Sequence, residues 1–317
     1  MTVLDLGSNT LRVLALDCET KVSLYRYSKV VKTADGLATS GLINSATVER
    51  IVSAIKEAQS SFSFEGEKIR AVTTEALRQA TNAQEVLAEI GQRVAVYFDI
   101  ISGEEEARLT LLAVSHRLEA LALATQSFVT IDIGGGSTEV TFKYAQEVHS
   151  KSFPLGIVTT AQSYTTLEEI RHALPQTMQE ITAFCTHIYQ QYGKPERFVA
   201  TAGTPTTVMA MKLGQTYASY DAESINGGVL SVDELDTALR QLLDISFEER
   251  EVLVGTGRAD LIAAGILIYK ELYRILDFDR GIVIDDGLRE GLALDSCSKK
   301  DGVHQTKHIL SERENSV

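Results

Sequence analysis

Tryptophan is absent from this chain, proline occurs four times and cysteine three times, and no apolar run approaches the length of a membrane span. The cysteines, Cys18, Cys185 and Cys297, lie far apart with no CxxC spacing. That spacing speaks against a disulfide framework or a zinc site and predicts reduced thiols in a cytoplasmic protein. The six histidines form no HExxH-like cluster; His304 and His308 share helical spacing but fall in a polar tail, so a histidine-held metal is not expected. Positive charge is also scarce: 30 Lys and Arg stand against 43 Asp and Glu, a formal net charge of −13. Such a balance disfavours nonspecific binding to nucleic acid or to an acidic membrane. It denies a polyanion any long-range attraction, so anion capture has to be local. A strand-like run starts almost at Met1, which is expected to leave no room for a signal peptide.

What the chain does have is 44% hydrophobic residues, ordinary for a globular protein, in 317 residues, which predicts about two domains. Its most informative stretch is Asp132-Ile133-Gly134-Gly135-Gly136-Ser137-Thr138-Glu139, between the apolar run Phe128–Ile131 and the alternating run Val140–Lys143. This reads as strand, glycine turn, strand. Three consecutive glycines carry no Cβ, so backbone N–H groups can close on an anion from several sides. Ser137 adds a hydroxyl, and Asp132 and Glu139 bracket the loop with carboxylates, a combination suited to a hard divalent cation beside phosphate. The alternative is a tight hairpin whose glycines serve only left-handed backbone geometry. A second copy tips the balance: Val3-Leu4-Asp5-Leu6-Gly7-Ser8-Asn9-Thr10 precedes the strand-like Leu11–Leu16, with Asp5 answering to Asp132 and Gly7 to Gly134. The domain-sized offset suggests two similar domains facing across a cleft.

In chain order, Val22–Val31 predicts a third strand, and Thr47 is expected to cap a helix through Phe62 that Gly66 breaks. Ile69–Thr73 reads as a buried strand, followed by Thr74–Asn82, where Arg78 either points into a crevice or lies on the surface of a short helix. A helix Ala83–Ile90 and a strand Val94–Ile101 come next. Ser102-Gly103-Glu104-Glu105-Glu106-Ala107-Arg108 then opens an apolar helix. Its three carboxylates complement the positive helix end, yet a strand-to-helix junction beside a phosphate cleft is also where a general base belongs. Further on, Thr166–Tyr192 reads as helical with a break near Pro175, and Arg197–Thr201 as a strand delivering Ala202-Gly203-Thr204. Thr204 is either a phosphate contact or a plain helix cap, with a helix Thr206–Leu213 after Pro205. Helices Ser231–Leu243 and Arg258–Leu276, a strand Arg280–Ile284 and a frayed polar tail complete the pattern.

Asp5–Asn9, Leu77–Asn82, Ser102–Arg108 and Asp132–Glu139, in this order and spacing, closely resemble the exopolyphosphatase/guanosine pentaphosphate phosphatase (Ppx/GppA) family in its short two-domain form. Phe153-Pro154-Leu155-Gly156, Ala202-Gly203-Thr204 and Asp286-Gly287-Leu288-Arg289-Glu290-Gly291 resemble further family elements, so that the likeness covers about residues 2–295. It implies an α/β fold of two ribonuclease H-like domains of the actin-like, acetate and sugar kinase/heat-shock-cognate superfamily. Residues 1–122 would form the first domain, 123–297 the second, with the last helix able to pack back on the first, and 298–317 a disordered tail. By the same resemblance Glu106 is the catalytic glutamate that activates water and Arg78 faces the transferred phosphate. Gly7, Ser8, Asn9, Gly134, Gly135, Gly136, Ser137, Gly203 and Thr204 bind phosphate, and Asp132, Glu139 and Asp5 hold Mg²⁺ or Mn²⁺.

The implied reaction releases terminal phosphate from inorganic polyphosphate or converts pppGpp to ppGpp, so the implied partners are polyphosphate or guanosine penta- or tetraphosphate. Self-association as a homodimer is left open. Longer family members carry a further helical domain that helps form a basic channel, so a short chain of this charge is expected to prefer short polyphosphates or pppGpp. Two rival readings share the fold: a small-molecule kinase, and a polyphosphate or alarmone sensor that binds without turnover. The Gly103–Arg108 element is not what marks kinases, and an intact Glu106, Asp132 and Glu139 argue against a pure binder.

Overall fold

The computed structural model describes residues 1–64 and 68–298. Gly66, the expected helix breaker, and the tail from residue 299, with His304 and His308, lie outside the described residues. Two sheets organise the chain. The first contains β1 (Thr2–Leu6), β2 (Thr10–Leu16), β3 (Ser23–Val30), β4 (Ile69–Thr73) and β5 (Phe98–Ile100) in the order β3-β2-β1-β4-β5. The second contains β6 (Phe128–Ile133), β7 (Thr138–Lys143), β8 (Val148–Phe153), β9 (Arg197–Thr201), β10 (Val229–Ser231) and β11 (Arg280–Val283) in the order β10-β11-β9-β6-β7-β8. In each sheet an antiparallel three-strand meander is continued by two parallel strands. The first domain's topology thus recurs in the second, with β10 added at the edge.

Burial explains the strand patterns. All five residues of β1 are buried, because β1 has neighbours on both sides and packed layers on both faces, so it reads as a continuous apolar run. Edge strand β3 alternates partly buried and exposed residues along most of its length. Helices Ser45–Ser61 and Ala83–Val94 bury Ile51, Ile55, Val86 and Ile90 against the first sheet. Helix Ile262–Leu276 is buried against the second through Ile266, Tyr269 and Leu272.

Two helices lie between the sheets. Helix Gly103–Ala120 places Leu109 in a cluster with Val3, Leu14 and Val72 of the first sheet, and Val114 and Leu118 in one with Phe128 and Val199 of the second. Helix 288–298 follows β11 yet buries Leu288, Leu292, Ala293 and Cys297 in the cluster with Val3, Leu14 and Leu16. The two helices touch where Gly291 meets the Leu109 backbone; a Cβ on Gly291 would lie 1.9 Å from the Leu109 carbonyl oxygen.

Several expectations are corrected. Asn44, not Thr47, caps the first long helix: its side chain accepts the Thr47 amide at 2.8 Å, which places Thr47 inside the helix. Val94 ends a helix instead of starting a strand, because Ala95 turns the chain with a φ of 54°. The last long helix starts at Ile262, and Arg258 stands in the turn before it. Cys18 and Cys297 are joined in a disulfide, Cα–Cα 5.3 Å and 279 residues apart in sequence, while Cys185 is free and buried. The expectation of reduced, unpaired thiols fails here because only the return of helix 288–298 to the first sheet brings the two together. No described helix is long and apolar enough to cross a membrane.

Candidate active site

The turns of the two hairpins, β1–β2 and β6–β7, meet in the cleft. A Cβ on Gly135 would lie 2.9 Å from Ser8 Cβ, and one on Gly136 would lie 3.0 Å from both Ser8 Oγ and Glu75 Cγ. None of Gly7, Gly134, Gly135 or Gly136 has a positive φ. Gly135 and Gly136 therefore serve the close approach of the two loops, and left-handed turn geometry accounts for none of the four. Gly156 completes the packing: its Cβ would fall 2.3 Å from the Gly135 carbonyl oxygen. From this side the amides of Ile157 and Val158 donate to the Gly134 and Gly135 carbonyls at 3.0 and 2.8 Å. With those carbonyls engaged, the amides of Ser8, Asn9, Gly135, Gly136 and Ser137 have no protein acceptor among the described residues. All five residues line one cavity of about 140 Å³, together with Asp5, Glu106, Asp132 and Gly203. Unpaired amides around one small space form an anion-binding nest.

Carboxylates surround the nest. In the hairpin registers Asp5 lies opposite Arg12, and Asp132 lies opposite Glu139. Arg12 Nη1 stands 3.6 Å from Asp5 Oδ2, Thr110 Oγ1 donates to Asp132 Oδ2 at 3.2 Å, and Ser152 Oγ donates to Glu139 Oε1 at 2.7 Å. Burial pushes Asp5 up to about 6 against the pull of Arg12, and raises Asp132 in the same way. Burial first, and the Asp132 charge second, push Glu139 up to about 7. Glu106 is raised well above the carboxylate range by burial and by Glu139, with Arg78 opposing.

Glu106 sits in the first turn of helix Gly103–Ala120, which Ser102 caps by accepting the Glu105 amide at 3.2 Å. Of the three adjacent glutamates only Glu106 is buried in the cleft; Glu105 pairs with Arg108 at 2.7 Å. Helix-end stabilisation and a candidate base are thus divided among neighbours. Arg78 is no surface arginine. Its Nη1 donates to Glu106 Oε2 at 3.0 Å and to the Ile101 carbonyl at 2.8 Å, while its Nε donates to Glu75 Oε2 at 2.8 Å. Arg78 and Glu139 stand behind the cavity lining, not in it, and Arg78 reaches the site through Glu106.

The third loop departs from the expected arrangement. Ala202, not Thr204, is the residue before helix Gly203–Lys212, and it holds a φ of 70°. Thr204 lines the nest cavity beside Gly203, and its hydroxyl lies against helix Ile262–Leu276, where a Cβ on Gly265 would meet it at 2.3 Å. Gly203 makes room for Arg258, whose Nη2 donates to the Gly203 carbonyl at 2.9 Å and to Thr207 Oγ1 at 3.0 Å.

Arg12 and Arg258 are the residues that sequence reading missed. Both line the nest and also a larger adjoining chamber of about 570 Å³. Arg258 is half-buried, no carboxylate pairs with it among the described residues, and loss of solvation followed by repulsion from Arg12 lowers its pKa. Two guanidinium groups that repel each other across an open cavity favour an anion between them. The available signal was Gly255-Thr256-Gly257-Arg258, an arginine behind two glycines that both adopt positive φ. Chamber walls are mixed in charge: Arg26 and Arg289 line it together with Asp221, Glu223, Asp285 and Glu290, and Tyr217 and Tyr220 add to the lining.

As for a metal, no three His, Cys, Asp or Glu side chains among the described residues close on one point. Asp5, Asp132 and Glu139 therefore share the cleft without forming the three-carboxylate set expected. Asp5, Asp132 and Glu139 are buried or half-buried oxygen donors of the kind that would hold a hard divalent cation through one or two carboxylates.

The Ppx/GppA phosphatase family model matches residues 20–300. Exopolyphosphatase 2 of Mycobacterium tuberculosis is 26% identical over 321 residues, covering 93% of this chain and 97% of that protein. Exopolyphosphatase 1 of Mycobacterium bovis is 27% identical over 308 residues, covering 92% and 86%. The crystal structure of the Aquifex aeolicus member of the Ppx/GppA family superposes with a TM-score of 0.73 at 26% identity, covering 94% of this chain and 97% of that one. An exopolyphosphatase structure from Cytophaga hutchinsonii shares the fold with a TM-score of 0.81 at 20% identity, covering 94% and 97%. The two-domain actin-like α/β fold is thereby established.

Proposed function

The chain belongs to the Ppx/GppA phosphatase family, and from that premise we propose that it is a phosphoanhydride hydrolase. It would release terminal phosphate from inorganic polyphosphate, as the names of its relatives suggest, and from pppGpp. The observation that carries the reading is the pair of facing hairpins, whose unpaired amides enclose a space beside buried Glu106. The terminal phosphoryl group sits in the nest, where the amides of Ser8, Asn9, Gly135, Gly136 and Ser137 take its equatorial oxygens. Such positioning and charge stabilisation supply most of the catalysis in phosphoryl transfer.

Glu106 holds a water in line with the terminal P–O bond and accepts its proton as the new O–P bond forms. Orthophosphate leaves, and the remaining chain is one phosphate shorter. A carboxyl raised by burial is a stronger base than an exposed one, and the Arg78 hydrogen bond fixes its orientation. A divalent cation, held by Asp132 or Asp5, would neutralise charge on the bridging phosphates. Arg12 and Arg258 receive the next phosphates as they pass into the chamber.

The acidic side chains within that chamber and the net charge of −13 favour short chains or a guanosine-capped triphosphate over long polyphosphate. The test is initial-rate phosphate release with Mg²⁺ from tripolyphosphate, polyphosphates of graded length and pppGpp. Turnover per chain end falling with length is expected. Rising efficiency with length would overturn the preference, and no release from any of them would overturn the hydrolase.

A further inference from the structure

We propose that the Cys18–Cys297 disulfide is a redox clasp that sets how firmly the cleft-lining helix 288–298 is held to the first domain. Cys18 lies just beyond β2, and Cys297 lies one residue before the end of the described helix. This helix belongs in sequence to the second sheet and in packing to the first, so its tether crosses between domains. Its other end enters the site. Leu288 lines both cavities, and Glu290 stands 3.6 Å from Arg26 Nη1 of β3. Midway, Gly291 presses on the Leu109 backbone of the helix that carries Glu106. A change in how the far end is held is therefore passed along one rigid element to the chamber wall and to the base's own helix.

The bond does not replace a missing core, as disulfides do in very small domains, because each sheet already has an extensive apolar core. The two sulfurs also differ in access: Cys297 is fully buried, whereas Cys18 is only partly so. A dithiol reductant can thus attack Cys18 Sγ as its thiolate. The S–S bond breaks, Cys297 leaves as thiolate and takes up a proton, and the reductant's second thiol resolves the mixed disulfide. Two electrons and two protons pass to the protein, and the reductant ends as its own disulfide. The contacts that still hold the helix include its apolar face, the Arg26–Glu290 pair and the Asp295 contacts with Arg70 and Arg108, at 2.7 and 3.0 Å.

The test compares the full chain equilibrated with oxidised and with reduced dithiothreitol. Peptide mapping reads the bond, amide hydrogen exchange reads residues 288–298, and calorimetry reads tripolyphosphate binding. Linked peptides are expected after oxidation. On reduction, exchange in this helix should rise roughly tenfold, as local opening becomes easier, and tripolyphosphate should bind severalfold more weakly. Reoxidation should reverse both changes. Cys18→Ser, at the more accessible position, should match the reduced protein and ignore the reductant. Cysteines that stay free under oxidant would overturn the proposal. So would a bond whose reduction changes neither exchange nor binding, or changes exchange without binding. Exchange and binding need no turnover, so this outcome is separable from failure of the hydrolase reading.

Discussion

Asp5, Glu106, Asp132 and Glu139 share one buried cleft, and in each of them burial disfavours the charged form. Asp5 moves from 3.8 to about 6, and Glu139 from 4.5 to about 7. Because the folded values lie above the unfolded ones, the unfolded chain holds fewer protons between them. The stability these groups contribute is full below about pH 4 and is lost as pH rises through about 6 to 7. A shift of about two units corresponds to roughly 3 kcal/mol. Asp5→Asn cannot ionise, so without divalent cations it should be more stable than wild type by about 2–3 kcal/mol near pH 8 and nearly equal near pH 4. Urea titrations at both pH values check this; a difference that does not change with pH would contradict it. The residue types at the site were legible where they came in motifs, as with Glu106 and the glycine turns. Arg12 carries no local pattern at all, and Arg258 has only the two glycines before it, so the meeting of both at one cavity arises only when the loops come together.

Among the elements, the glycine hairpin depends on a glycine outside it. Gly156 backs the Gly135 carbonyl, and both contact atoms are backbone or directly attached to it, so an added methyl cannot be relieved by a rotamer change. Gly156→Ala is predicted to cost about 1–3 kcal/mol, the usual range for overpacking. It should also cut kcat by about 10²-fold through displacement of the nest amides. A melting curve and a rate assay check both; an active, equally stable variant would contradict this account of the loop. Strands and long helices were largely readable from apolar runs and periodicity. Boundaries failed where a cap overrode the pattern: Asn44 took the capping role expected of Thr47, and Ala95 ended a helix where a strand was expected to begin. Thr204, readable as cap or ligand, lines the nest cavity and also packs against Gly265, a tertiary contact that local sequence does not encode.

For the whole molecule, the duplicated glycine hairpins announced the duplicated topology, because a shared turn motif at domain spacing implies a shared meander around it. The covalent link between Cys18 and Cys297 was invisible, since 279 residues separate two cysteines that meet only after the last helix crosses back. That crossing, together with helix Gly103–Ala120, ties both domains to Glu106. The most direct test of the central claim is single-turnover phosphate release from tripolyphosphate and pppGpp with Mg²⁺, wild type against Glu106→Gln, with substrate affinity measured alongside. Loss of the base is predicted to lower the rate by roughly 10²–10⁴-fold while the nest still binds substrate. A Glu106→Gln protein that releases phosphate at the wild-type rate would contradict the account.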